Sequence, residues 1–191
     1  MVKFKGRDSK KQYMPLKPIK RGYKVWCRCD SKSGYLYQFD IYTGKDRSGA
    51  PSEEGLGYKV VLKLTKNVPA GSLVVFDNFF TSIPLMEILH ERNIYSIVTV
   101  RLTRRGMPEE FTSKKPRDSE EMKMKKKELT KLAPGEFTFR YDSPVGCIKW
   151  HDTKDVHVLS TAVNPSEVSV IKRRQKNGTL KDMYCPTAIT T

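Results

Sequence analysis

Residues 72–101, SLVVFDNFFTSIPLMEILHERNIYSIVTVR, limit the possible folds more than any other stretch of the chain. Leu73, Val74, Val75 and Phe76 form a continuous apolar run that stops at Asp77, and runs of this kind belong to strands buried on both faces. Thr81 or Ser82 can cap a helix, Pro84 fits its first turn, and Leu85, Ile88 and Leu89 fall at i, i+3, i+4 as its inner stripe. Arg92 and Asn93 close that helix, and residues 94–100 make the next strand. Strand, short helix and strand in this order predict a parallel pair with a right-handed crossover. Ligands of open α/β sheets bind outside the carboxyl ends of the strands, which is where Asp77 falls. One carboxylate, however, does not make an active site.

The rest of the chain must supply partners for that unit, and its charge says what kind. Lys plus Arg outnumber Asp plus Glu by 36 to 21, a net charge of +15 with pI near 9.7, which favours a polyanionic partner, nucleic acid first. At 191 residues, 38% of them hydrophobic, the chain can build a core, although its mean hydropathy of −0.57 is polar. Cys27, Cys29, Cys147 and Cys185 are scattered apart from one Cys-x-Cys, as expected of free thiols in a reducing, intracellular setting. No window approaches the roughly 18 apolar residues of a membrane span, so no membrane partner is expected.

Residues 1–22 are rich in Lys and Arg, carry Pro15 and Pro18, and show no periodicity, so they read as an extended basic arm. Residues 23–30 and 34–44 alternate, with Val25, Cys27 and Cys29 opposing Trp26 and Arg28, and predict an antiparallel hairpin. Residues 46–57 are a polar linker, in which Gly55-Leu56-Gly57 lacks the preceding strand and third glycine of a nucleotide loop. Tyr58, Val61, Leu62 and Leu64 suit a short helix, with strand as the alternative because Val60 and Val61 are β-branched.

Beyond the opening unit, residues 103–134 form a basic insertion. Residues 114–131 have hardly a large apolar side chain and predict a solvated surface helix around 119–132. Its KMKKK, residues 123–127, offers a nuclear address or a phosphate contact, against the plainer reading of a solvated charge run. Three strands follow at 136–141, 145–151 and 155–163. The turn HDTKDVH, with His151, Asp152, Asp155 and His157, imitates a metal site, but hairpin turns collect Asp and Thr, and zinc would want further Cys or His. Residues 164–191 are polar, contain KRRQK and a turn at Asn177-Gly178-Thr179, and show no terminal helix. They read as a truncated end.

These residues resemble the catalytic domain of piggyBac transposases and the transposable element-derived proteins related to them. The most specific match is VVFDNFFTSIPL, residues 74–85, which resembles the family's signature around its second catalytic aspartate. FKGR at 4–7, the hairpin at 22–44, VRLTRRGMPE at 100–109 and VHVLST at 156–161 follow in the family's order, so the resemblance covers nearly the whole chain. It implies an α/β fold of RNase H-like type. The version expected here is an incomplete mixed sheet with an N-terminal β-hairpin, a helix, the β-α-β unit with Asp77 at a strand end, the basic insertion and C-terminal strands.

In the family, three aspartates hold two divalent cations, Mg2+ or Mn2+, which clamp the attacking and leaving oxygens of a phosphoryl transfer. The first lies upstream of the FKGR-like motif and the third beyond the position of Thr191, so Asp77 alone carries over, and the resemblance implies that it is a catalytic metal ligand. The resemblance also implies that the missing first strand would lie beside the strand ending in Asp77, leaving one of its sides unpaired. Two functions follow: a transposase fragment without strand-transfer activity, or a domesticated DNA-binding or interaction module that keeps the basic surface and not the chemistry. Expected DNA contacts are Lys3, Lys5, Arg7, Lys10, Lys11, Lys20, Arg21, Arg101, Arg104, Arg105, Lys125, Lys126, Lys127, Lys172, Arg173 and Arg174. A nuclear location, and a dimer in the complete family, belong to the same expectation.

Overall fold

Short strands stitched by charged turns account for most of the regular structure. The computed structural model describes residues 1–44, 55–113, 115–174 and 178–191. Most of the expected linker at 46–57, Lys176 and Asn177 therefore lie outside the described residues. The chain divides into two compact units, Met1–Asn67 and Val68–Thr191.

In the first unit, β1 (Val2–Lys3), β2 (Gln12–Tyr13) and β3 (Arg21–Tyr23) form a small antiparallel sheet in the order β1-β3-β2. The basic segment is thus folded and not an extended arm. Its strands are two or three residues long, too short to show a period of two. Gly22 makes the pairing possible, because a Cβ there would lie 2.0 Å from the Val2 carbonyl oxygen. The expected hairpin is present as β4 (Val25–Cys29) and β5 (Leu36–Ile41). Asp30 builds its turn by accepting from the Ser33 hydroxyl at 2.6 Å and the Ser33 N–H at 2.7 Å, bonds that hold its carboxyl below the ordinary carboxylate range. The expected short helix is present as α1 (Leu56–Leu64), which buries Val60, Val61 and Leu64; Trp26 is the buried residue of β4.

The second unit is a five-stranded mixed sheet in the order β6-β7-β10-β9-β8, with β6 (Leu73–Phe76), β7 (Tyr95–Thr99), β8 (Phe137–Asp142), β9 (Val145–His151) and β10 (Asp155–Ser160). β6 and β7 are parallel and joined through α2 (Ile83–Glu91), as expected; the remaining pairs are antiparallel. The Ser82 Oγ accepts from the Leu85 N–H at 3.4 Å, and Asn93, at φ 55°, turns the chain out of the helix in the left-handed region. α2 buries Leu85, Met86 and Leu89, while Ile88 is half-buried. On one side of the sheet, Met86 joins Val98, Val100, Met107, Phe111, Val145, Cys147 and Leu159 in a core; on the other, Ile97, Ile148 and Val158 pack with Ala188.

Two further expectations need correcting. β6 is not buried on both faces, since Leu73 and Val75 are 43% and 70% exposed; its pairing with β7 alone among the described residues leaves one side open, as the resemblance implied. Its continuous apolar run therefore reports a strand with one open face and one open edge. The polar C-terminal segment is also structured, as the hairpin β11 (Val168–Arg174) and β12 (Leu180–Pro186), followed by the short helix α4 (Thr187–Thr190). Burial alternates along β11, with Ser169, Ile171 and Arg173 inward, but cations at the three successive positions 172–174 and valines at the exposed 168 and 170 hide that period in the sequence.

The basic insertion forms α3 (Glu120–Leu129), capped by the Ser119 hydroxyl, which accepts from the Met122 N–H at 3.2 Å. Glu120 and Glu121 lie in its first turn and Lys126 and Lys127 in its last, signs that favour the helix dipole at both ends. This is the solvated helix expected, with one exception at Lys126.

Candidate functional site

Parallel pairing places the C-terminal ends of β6 and β7 side by side, and Asp77 leaves the first of them into solvent. Its Oδ1 accepts from the Phe79 N–H at 2.8 Å and its carbonyl from the Phe80 N–H at 3.0 Å, which closes a tight turn on the carboxylate. Among the described residues Oδ2 has only a long contact, 3.5 Å, with Asn78 Nδ2. The buried Thr81 hydroxyl donates to the Thr99 carbonyl at 2.9 Å and so ties this turn to the end of β7. Phe79 and Phe80 meet edge to face at 5.1 Å, and Phe79 stays 44% exposed.

A pair of divalent cations needs several carboxylates arranged around it. Among the described residues no group of three His, Cys, Asp or Glu side chains comes together, so Asp77 stands without the companions such a site requires. The HDTKDVH turn is likewise spent on ion pairs. Asp155 accepts from Lys149 at 2.8 Å and from His151 Nδ1 at 2.7 Å, and Asp152 is paired with Arg173. Burial pushes the Asp155 carboxyl upward, but the bonds from Lys149 and His151 outweigh it and hold the group below its ordinary value.

The expected DNA contacts fall into distinct environments. In the first unit, Lys3, Lys5, Lys11, Lys20 and Arg21 line an open cavity of about 590 Å³ together with Phe4, Tyr13, Pro18 and Ile19. The Arg21 guanidinium lies 4.9 Å from the Tyr13 ring centre, and Lys11 donates to the Gly6 carbonyl at 2.7 Å. Arg7 and Lys10 are exposed. The aromatic walls, Phe4 and Tyr13, were missed from the sequence, although aromatic residues interleaved with cations are a recognised signature of nucleic-acid surfaces.

In the second unit, Arg101, Arg105, Lys127, Lys172 and Arg174 are exposed, and Lys125 is held by Glu121 at 2.7 Å on the surface of α3. Three expected contacts are engaged within the protein. Lys126 is buried and donates to Asp118 at 2.7 Å, with both side chains essentially out of water. That bond, followed by the Lys115 N–H, holds the Asp118 carboxyl below its ordinary value. Arg173 is partly covered in its pair with Asp152, and Arg104 donates to two backbone carbonyls of the Asp77 turn. Cys147 and Cys185 are buried, and burial pushes the Cys147 thiol up to about 12, so neither is a reactive thiol at neutral pH.

Known proteins are similar to this chain along almost its whole length. A transposase family model described as Transposase IS4 matches residues 1–190. The human PiggyBac transposable element-derived protein 3 is 32% identical over 178 residues, covering 91% of this chain and 28% of that protein. The human PiggyBac transposable element-derived protein 2 is 31% identical over 184 residues, again 91% of this chain and 28% of the relative. A cryo-EM structure of a piggyBac transposase synaptic complex with hairpin DNA superposes with a TM-score of 0.69 at 26% identity, over 98% of this chain and 34% of that one. The chain thus spans about a third or less of the length of the proteins it matches. From the family match over residues 1–190 and these likenesses, we conclude that the chain belongs to the piggyBac-type transposase family.

Proposed function

We propose that this chain is part of a piggyBac-type transposase domain with an RNase H-like sheet, in which Asp77 is one metal-binding carboxylate of the family's site. By itself it holds DNA through its basic surfaces and does not cut it. The observation that carries this reading is the Asp77 carboxylate at the exit of β6, beside the parallel β7, in no group of three or more potential metal ligands among the described residues. One carboxylate cannot impose the octahedral geometry that magnesium demands, so the Mg2+ or Mn2+ of the complete family has no adequate cage in these residues. The cation-lined cavity of the first unit and the exposed Arg101 and Arg105 support DNA as the partner. The same surfaces suit a module that retains DNA binding without chemistry, and DNA as partner implies a nuclear location.

The test is to incubate the chain with nicked and hairpin-ended duplexes in Mg2+ or Mn2+. The DNA is expected to be retarded on a gel and recovered intact. Metal-dependent cleavage that disappears in Asp77→Ala would overturn the reading.

A further inference from the structure

The turn that carries Asp77 is held by a side chain from another segment. After β7 the chain folds back past the exit of β6, and Arg104 in this returning segment donates from Nη2 to the carbonyls of Asn78 at 2.7 Å and Phe79 at 2.9 Å. These are the two residues directly after Asp77, and the N–H of Phe79 is the donor to the Asp77 carboxylate. The clamp and the carboxylate therefore share one peptide segment. Both ends of the returning segment are anchored. Val100 and Met107 are buried in the core, and Gly106, at φ +85°, lies where a Cβ would come within 2.9 Å of Ile83 Cδ1 on the first turn of α2.

Arg104 is poorly placed to meet a phosphate. It is half-buried, its Nε is out of water with no hydrogen-bond partner among the described residues, and Nη2 already serves two carbonyls. Arg101 and Arg105, by contrast, are exposed on either side of it. A planar guanidinium suits two neighbouring acceptors better than the point charge of an ammonium, so Lys at this position would keep the charge and weaken the clamp.

We propose that Arg104 is a positioning residue for Asp77, fixing the direction of its carboxylate relative to the end of β7 by holding the Asn78 and Phe79 carbonyls. The functional meaning of that role rests on Asp77 being the site carboxylate, but the clamp can be measured without DNA or metal. Arg104→Lys and Arg104→Gln are compared with the wild-type chain by amide hydrogen exchange at Phe79 and Phe80, by the 13Cγ resonance of Asp77, and by the salt dependence of DNA binding.

In both variants exchange at Phe79 and Phe80 should quicken about tenfold or more and the Asp77 resonance should move. The amides of β9 and β10 should stay as protected as before, and the salt slope should be unchanged. A role in overall stability alone would leave the Asp77 resonance of the folded variant in place, and that result overturns the proposal. So does unchanged exchange at the turn with a salt slope reduced by about 0.9 in Arg104→Gln and restored in Arg104→Lys, the signature of a phosphate contact. If Arg104→Gln does not fold, Arg104→Lys decides on exchange and resonance. Absence of DNA binding by the wild-type chain would count against the proposed function and leave these two readouts to decide the clamp.

Discussion

His157 faces Lys149 across the β9–β10 pair, half-buried, with its Nε2 out of water and no hydrogen-bond partner among the described residues. Burial first, and then the Lys149 ammonium, hold its pKa below the ordinary 6.5, with Asp155 opposing them weakly. The unfolded chain therefore binds this proton more readily than the folded one. Stability should be full above about pH 6.5 and fall as the pH drops below it, because acid favours the unfolded state. Thermal unfolding measured from pH 7.5 to 5.5 should show the midpoint falling, and His157→Gln should flatten that fall. Sequence reading located Asp77 correctly at a strand exit, because an apolar run ending in an acid is a local signal. It could not assign Arg104 or Lys126. The partner of Lys126, Asp118, lies eight positions away outside the helix, and the carbonyls held by Arg104 are more than twenty residues earlier. Whether a cation meets solvent or a buried acceptor is settled by tertiary folding.

α2 links β6 to β7 and packs against β7, which is the one strand neighbour of β6 among the described residues. Leu85, Met86 and Leu89 are fully buried, so the helix holds through its apolar face more than through its 3.4 Å cap bond. Leu89→Ala should cost about 2–5 kcal/mol, the usual range for deleting a fully buried leucine, read as a lower urea midpoint with the slope unchanged. The elements legible in the sequence were the β4–β5 hairpin, α1, the β6-α2-β7 unit, α3 and the β8–β10 strands. The β1–β3 sheet was illegible because its strands are too short for a pattern. The β11–β12 hairpin was missed because Lys172 and Arg174 occupy its open face beside Val168 and Val170, mixing charge into the alternation. The exposure of Leu73 and Val75 could not be read from residues 73–76 either, since a strand's place in its sheet depends on what pairs beside it.

Across the whole chain, a charge of +15 is a statement about association and not about fold. Its family membership agrees with that charge, and the described residues gather cations around one cavity while placing Asp77 in no group of three metal-binding side chains. The role proposed for these cations is to bind the DNA backbone. It is tested most directly by measuring the affinity of the chain for a duplex from 50 to 200 mM salt. If Lys3, Lys5, Lys11, Lys20 and Arg21 each meet a phosphate, log K should fall against log salt with a slope of about −4.5 or steeper, with little dependence on the DNA sequence. Binding that does not respond to salt, or no binding at 50 mM, would contradict it.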